Sequence, residues 1–341
     1  MPAPLELISL SHVLNELLVK GRAVYERAVR AVRWGELPVW AVASAHSLPA
    51  AEALQYAFED LLSWPLIVHE AASFAATASA MLRPGSVVVV FDDGTAPAQD
   101  ALRAARKRTV QVVVIDSGSA APATDSLSPM PVADSPLTLM LPPAGASARG
   151  GLGAACLQHA AAAQLALVCA RHLTRPDARL ERCEREWRDV PSQIDGLAAP
   201  LDRGVAALAG ELKSHDLMLF VGGGHYSAIV RRMSGLGRQH YRRLMIGLDL
   251  GAFDGGWLEV LGMKPAVLLV SGSSGRLAKA TVALAGAIKE RGCPLSVITG
   301  ANNQDLIRQA HVSLMLPETG DFAGSILALA VVGWVTSQVG R

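Results

Sequence analysis

Cysteine is scarce. The 341-residue chain has four, at positions 156, 169, 183 and 293, and no two stand at C-x-x-C spacing. That argues against a disulfide framework or a cysteine-rich zinc site and fits a reducing cytoplasm. Charge of one sign is missing as well: 31 Lys and Arg against 30 Asp and Glu leave +1. Such a balance gives no electrostatic footing for nucleic acid or an anionic membrane. Residues 1–7, Met-Pro-Ala-Pro-Leu-Glu-Leu, have no basic region ahead of an apolar stretch, so no signal peptide is expected. The best candidate for a membrane span, residues 153–170, is mostly alanine and carries Gln158, His159 and Gln164. It reads as a buried or interface helix, and the protein as soluble.

What the chain does have is a repeat. Leu-Met-Leu-Pro begins at residue 139 and again at residue 314. Ahead of each copy stands an apolar run ending in a small-residue loop, Val39 to Ser47 and Leu219 to Ser227. A second run with its own loop follows: Val87 to Val90 then Phe91-Asp92-Asp93-Gly94-Thr95, and Val267 to Val270 then Ser271-Gly272-Ser273-Ser274-Gly275. Third runs occupy 110–115 and 295–298. A repeat of this length fixes the architecture before any motif is read. Apolar residues make up 51% of the chain, enough for a core in each half.

Helical spacing covers 5–34, 49–62, 99–108 and 324–338, and strand runs cover 39–43, 66–69, 87–90 and 110–115. Ser47 is a plausible N-cap for the second helix, with Pro49 in its first turn. Residues 116–131 have loop composition, and the Arg- and Glu-rich 171–190 reads as a solvated connecting helix. The last helix is apolar nearly all round, so it is expected to be buried against the sheet or a partner subunit. Strands alternating with helices predict an α/β fold: two tandem domains, each a parallel sheet flanked by helices in a three-layer αβα, flavodoxin-like arrangement. The boundaries are 1–175 for the first domain, 176–193 for the linker helix and 194–341 for the second.

In such sheets ligands bind beyond the carboxyl ends of the strands. Four loops qualify there: Ser44, His46 and Ser47; Asp92, Asp93, Gly94 and Thr95; Gly222 to Ser227 with His225; and Ser271, Ser273 and Ser274 with Arg276. The last is the best anion site, offering hydroxyls, a helix N-terminus and a full positive charge, although a plain Ser/Gly turn with an N-cap accounts for it equally well. Asp92 and Asp93 would repel a phosphate and suit a hydroxyl-rich or cationic ligand better, though two carboxylates at a helix N-terminus also satisfy its dipole unaided. Gly222-Gly223-Gly224 lacks the pattern of a P-loop and the acidic partner of a dinucleotide fingerprint. Asp92-Asp93 in one half stands against Ser273-Ser274 in the other.

These residues resemble the double sugar isomerase (SIS) family, to which the isomerase half of glucosamine-6-phosphate synthase and the fructosamine-6-phosphate deglycases belong. Ala43-Ser44-Ala45-His46-Ser47 stands where that family writes A-C-G-T-S, Phe58-Glu59-Asp60-Leu61 where it has F-E-S-L, and Val90 to Ala96 where it has I-S-Q-S-G-E-T. Ala144-Gly145, Gly153 and Gln164-Leu165 fall in its A-G-x-E…Q-L stretch, and Phe220-Val221-Gly222-Gly223-Gly224 on its F-L-G-R-G. The resemblance implies binding of a sugar phosphate or sugar derivative by a cytoplasmic homodimer, without metal or redox cofactor. Any catalysis would be aldose–ketose isomerisation or deglycation. It also implies departures. Phe91, Asp92 and Asp93 replace the phosphate-gripping S-Q-S, Gln239 replaces the catalytic glutamate, and Asp254-Gly255-Gly256 lies near the family's H-G-P with no histidine. No counterpart of the C-terminal lysine is expected. Gln239, Asp254 and His225 are therefore the catalytic candidates, and His159 takes the place of a family lysine. His46, His240, Glu259 and Lys264 are further groups able to move a proton or act as an amine. An inactive sugar-phosphate sensor is the alternative.

Overall fold

The structure is a computed structural model that describes residues 3–35, 38–108, 110–117, 137–142, 152–236, 244–258 and 264–339. Gln239, His240, Glu259, Ala144, Gly145 and most of the 116–131 loop lie outside the described residues. By its contacts the chain divides into two compact units: Leu10–Arg188, the first unit, and Asp189–Arg341 with Met1–Ser9, the second.

The chain begins with α1 (Ala3–Asn15), a π turn at Glu16–Lys20 and α2 (Arg22–Ala31), where a single helix over 5–34 is the sequence expectation. There follow β1 (Val39–Ala43), α3 (Leu48–Leu62), β2 (Leu66–Glu70), α4 (Ala71–Ala76), β3 (Val87–Asp92), α5 (Ala96–Arg106), β4 (Gln111–Asp116), β5 (Leu137–Met140) and α6 (Leu152–Leu173). After α7 (Ala178–Lys213) come β6 (Leu217–Gly222), α8 (His225–Leu236), β7 (Leu244–Asp249), β8 (Ala266–Ser271), α9 (Gly275–Glu290), β9 (Leu295–Gly300), α10 (Gln304–Ile307), β10 (Val312–Leu316) and α11 (Asp321–Val339).

Both sheets are parallel and share one topology. The first runs β2-β1-β3-β4-β5, and the second, read from its opposite edge, β7-β6-β8-β9-β10. The run Val87 to Val90 is buried throughout, as a central strand covered on both faces requires. Trp40, Val42, Val88 and Val90 pack with Phe74 and Leu102 on one face of the first sheet. Leu219, Val221, Leu269 and Val297 pack with Ile288 in the second. Fully burying an apolar side chain of this size contributes about 1.5–3 kcal/mol.

The connecting helix is longer than its composition suggests. Its interior prolines, Pro191 and Pro200, each remove a helix hydrogen bond, yet α7 continues through both. An apolar stripe explains this. Leu180, Cys183, Trp187, Val190, Ile194, Leu197, Leu201, Val205, Leu208 and Leu212 recur at spacings of three and four, and all are buried. Residues 153–173 and 321–339 are long and apolar enough to cross a membrane by length and composition, but 89% of each window is buried inside the protein.

Candidate functional site

In the first unit the loops after β1 and β3 close on one another around Asp93. Its carboxylate accepts the hydroxyl of Ser44, the hydroxyl of Ser47 at 3.1 Å, and both the hydroxyl (2.6 Å) and the backbone N–H (3.2 Å) of Thr95. Ser44 and Ser47 are buried. Ser47 occupies the N-cap position of α3, but its side chain caps nothing there. Asp93 draws the hydroxyl away, which corrects the capping role expected of it.

Gln158 on α6 completes the ring. Its amide donates to Ser47 Oγ at 2.9 Å and to Ser117 Oγ at 2.7 Å, and Ser117 donates in turn to the Asp92 carbonyl. Asp92 faces elsewhere, accepting the Gly94 N–H at 2.9 Å and the Gln99 amide. Gly94 turns the chain into α5 with φ of 75°. His46 is exposed, and His159 is buried on α6 next to Gln158.

The two neighbouring carboxyls are shifted in opposite directions. Burial pushes Asp93 up, but the hydroxyls of Ser44 and Thr95, the Thr95 N–H and the Ser47 hydroxyl outweigh it, so the carboxyl lies below its ordinary value. Burial pushes Asp92 up too, with help from the charges of Asp116 and Asp93, and the bonds from Gly94 and Gln99 do not compensate.

The second unit arranges the same positions differently. Val39 pairs with Val87 in the first sheet and Met218 with Ala266 in the second. Carrying that register forward sets Asp92 against Ser271, Asp93 against Gly272, Gly94 against Ser273 and Thr95 against Ser274. Thr95 and Ser274 are indeed the N-caps of α5 and α9. The acidic pair therefore does not stand against Ser273-Ser274; the structural alignment is displaced from the sequence alignment by two residues.

At Gly272 no side chain fits, because a Cβ would overlap the Asp321 carboxylate from the start of α11. Tyr226, the register equivalent of Ser47, directs its hydroxyl to Asp321 Oδ1 at 3.4 Å. Burial, then the Asp321 charge, pushes the Tyr226 phenol well up. The Gly272 carbonyl accepts Ser271 Oγ, Thr299 Oγ1 and the Asn303 amide, each at 3.2 Å, which fixes the loop. Beyond it, the hydroxyls of Ser273 and Ser274 hydrogen-bond to none of the described residues, and Ser274 leaves the N-terminus of α9 without a side-chain cap.

The other candidates are scattered. His225 is buried at the start of α8 with its ring edge-on to Phe322, centroids 5.8 Å apart. Asp254 is exposed, and among the described residues its carboxylate accepts the Gly256 N–H of its own turn, at 2.9 Å. Tyr226 lies in the Gly222 to Ser227 loop that the sequence marks as a candidate, whereas Gln158, Ser117 and Asp321 are not marked by the sequence as site residues. Of these three, Gln158 leaves a trace there, as a polar interruption of an alanine-rich helix.

No protein-family model and no curated protein matches the chain. Solved structures do. The C-terminal domain of glucosamine-fructose-6-phosphate aminotransferase from Francisella tularensis is 18% identical with a TM-score of 0.78, over 99% of this chain and 95% of that one. Tagatose-6-phosphate ketose/aldose isomerase from Escherichia coli is 12% identical with a TM-score of 0.72, over 99% and 90%. Glucosamine-6-phosphate deaminase from Thermotoga maritima is 11% identical with a TM-score of 0.63, over 97% and 94%. Along its whole length the chain has the tandem sugar isomerase fold.

Proposed function

We propose that this protein binds a phosphorylated sugar or sugar derivative, with the phosphate on the loop of the second unit that runs from Ser271 to Arg276. One observation carries the reading. Among the described residues, the Ser273 and Ser274 hydroxyls have no partner, and they stand at the N-terminus of a 16-residue helix, where backbone N–H groups and the dipole favour an anion. Arg276, exposed one residue into the helix, adds a full charge. Asp321, lying on Gly272, restricts the anion to the α9 side of the loop. The names of the structural neighbours support the choice of ligand, since each is a protein of 6-phosphosugars.

A panel of 6-phosphosugars and fructosamine 6-phosphates tests this by thermal shift and titration. Ser273→Ala combined with Ser274→Ala is expected to weaken binding about a hundredfold or more, since hydrogen bonds to a charged group are worth about 1.5–3 kcal/mol each. Asp93→Ala is expected to cause no loss of affinity. Equal losses in the two variants would sink the assignment to the second unit.

Whether the bound sugar is turned over divides an isomerase or deglycase from a sensor. The enzymatic form draws on Asp321, a carboxylate beside the loop with a phenol directed at it. The sensor form draws on the hydrogen bond that Asp254 makes within its own turn and the packing of His225 against Phe322. A thermal shift without turnover of any panel member selects the sensor. The reading carries with it a cytoplasmic homodimer, and sedimentation as a monomer would remove that part.

A further inference from the structure

The structure assigns Asp93 a specific role: its carboxylate is the built-in occupant of an oxyanion cradle made by Ser44, Ser47 and Thr95, and it bars phosphorylated ligands from the first unit. Three hydroxyls on two separate loops, together with the Thr95 N–H, converge on this one carboxylate. Hydrogen bonds to an ionised acceptor are stronger than those between neutral groups, so donors gathered from two loops make a site for an anion, and here the chain supplies the anion itself. Gln158, buried on α6, holds Ser47 from behind and so orients its hydroxyl proton toward Asp93.

The second unit gives an independent reason. At Gly272, the register equivalent of Asp93, the chain carries no side chain, yet a carboxylate occupies the place. It comes from Asp321 on a different element, and the equivalent of Ser47, Tyr226, again directs its hydroxyl to it. Two halves that solve the same position with carboxylates of different origin show that the position demands an anion. The consequence differs between them. In the first unit the internal carboxylate also takes the hydroxyl of the helix N-cap, Thr95, and leaves no cradle donor for a ligand. In the second, the N-cap Ser274 remains available.

Removal of the carboxylate and its replacement from solution test this. Asp93→Gly is placed in the Ser273→Ala/Ser274→Ala background, so that the second unit is silent toward anions. Melting temperatures are read in sodium phosphate, sulfate, acetate and chloride at matched ionic strength, and inorganic phosphate is titrated calorimetrically. The expected result is a lower melting temperature in chloride, at least half of it restored by phosphate, sulfate or acetate. Phosphate should also bind about tenfold or more tightly than to the same background with Asp93 intact. Equal melting temperatures in all four salts, or equal phosphate affinity with and without Asp93, would overturn the assignment. If Asp93→Gly does not fold in chloride, the refolding yield in phosphate against chloride is the readout, and equal yields count against it. Asp93→Ser, which leaves room for the anion beside a fourth hydroxyl, must behave in the same direction. Failure of the wild-type protein to bind any phosphosugar would remove the function proposed above and leave this result untouched.

Discussion

The loops after β3 and β8 leave the same strand of the same topology and enter helices capped by a hydroxyl residue, yet they treat their donors in opposite ways. The first spends every cradle hydroxyl on Asp93. The second spends its donors on the Gly272 carbonyl and leaves Ser273 and Ser274 open. A duplicated framework thus keeps the backbone path and changes where the negative charge comes from. The difference is one of side-chain origin, a carboxylate on the loop in one unit and on the last helix in the other.

The largest effect is expected from forcing the second unit into the form of the first. Gly272→Asp would put a second carboxylate into space already held by Asp321, combining overlap with like-charge repulsion. A loss of about 3 kcal/mol or more in denaturant unfolding is expected. Adding Asp321→Ala should recover a large part of that loss, because the loop carboxylate then has the place to itself. A double variant no more stable than Gly272→Asp alone would break the equivalence of the two positions.

Much of this framework is legible in the sequence. The repeated Leu-Met-Leu-Pro falls on β5 and β10 and their exits, and the valine run falls on a buried central strand. Side-chain partnerships are not legible in the same way. Gln158 meets Ser47 across 111 residues, and Asp93 meets Ser44 across 49, so no local pattern announces either. Ser47 before a helix looks like a cap because local chemistry favours one, and a tertiary carboxylate wins it instead. Prolines in α7 suggest a break that the apolar stripe overrides. Residue type alone sets Asp92-Asp93 against Ser273-Ser274, two positions from the pairing that strand register gives, in which Asp93 corresponds to a glycine.

A second pair of variants sharpens the contrast within the first unit. Asp93→Asn should cost about 1–3 kcal/mol at neutral pH, because the neutral amide is a weaker acceptor and brings N–H groups toward donors. Asp93 has its folded-state pKa depressed below the ordinary 3.8, so its contribution is present above that pH and is lost as pH falls through the folded value. Asp92 is raised above 3.8, so its ionisation opposes folding as pH climbs from there through the folded value. Asp92→Asn should therefore stabilise the protein at pH 7, by less than about 1 kcal/mol after adjustment of the Gln99 amide. Melting curves between pH 3 and pH 8 check both signs. Two adjacent substitutions shifting stability in the same direction at pH 7 would mean that the acids share one environment.

The smallest effect concerns Arg276. Its side chain is exposed, so solvent and salt screen its field, and it makes no hydrogen bond or ion pair among the described residues. Arg276→Gln is expected to weaken phosphosugar binding less than about tenfold at low ionic strength and to change it little at 0.5 M salt. The hydroxyl variants act through short hydrogen bonds and should lose affinity at both salt concentrations. Titrations of the two kinds of variant at low and high salt separate these contributions. A salt-independent loss in Arg276→Gln as large as that of the serine variants would place the guanidinium in direct contact with the ligand. The second loop would then be a charge-paired site and no longer a cradle of neutral donors like the one Asp93 fills in the first.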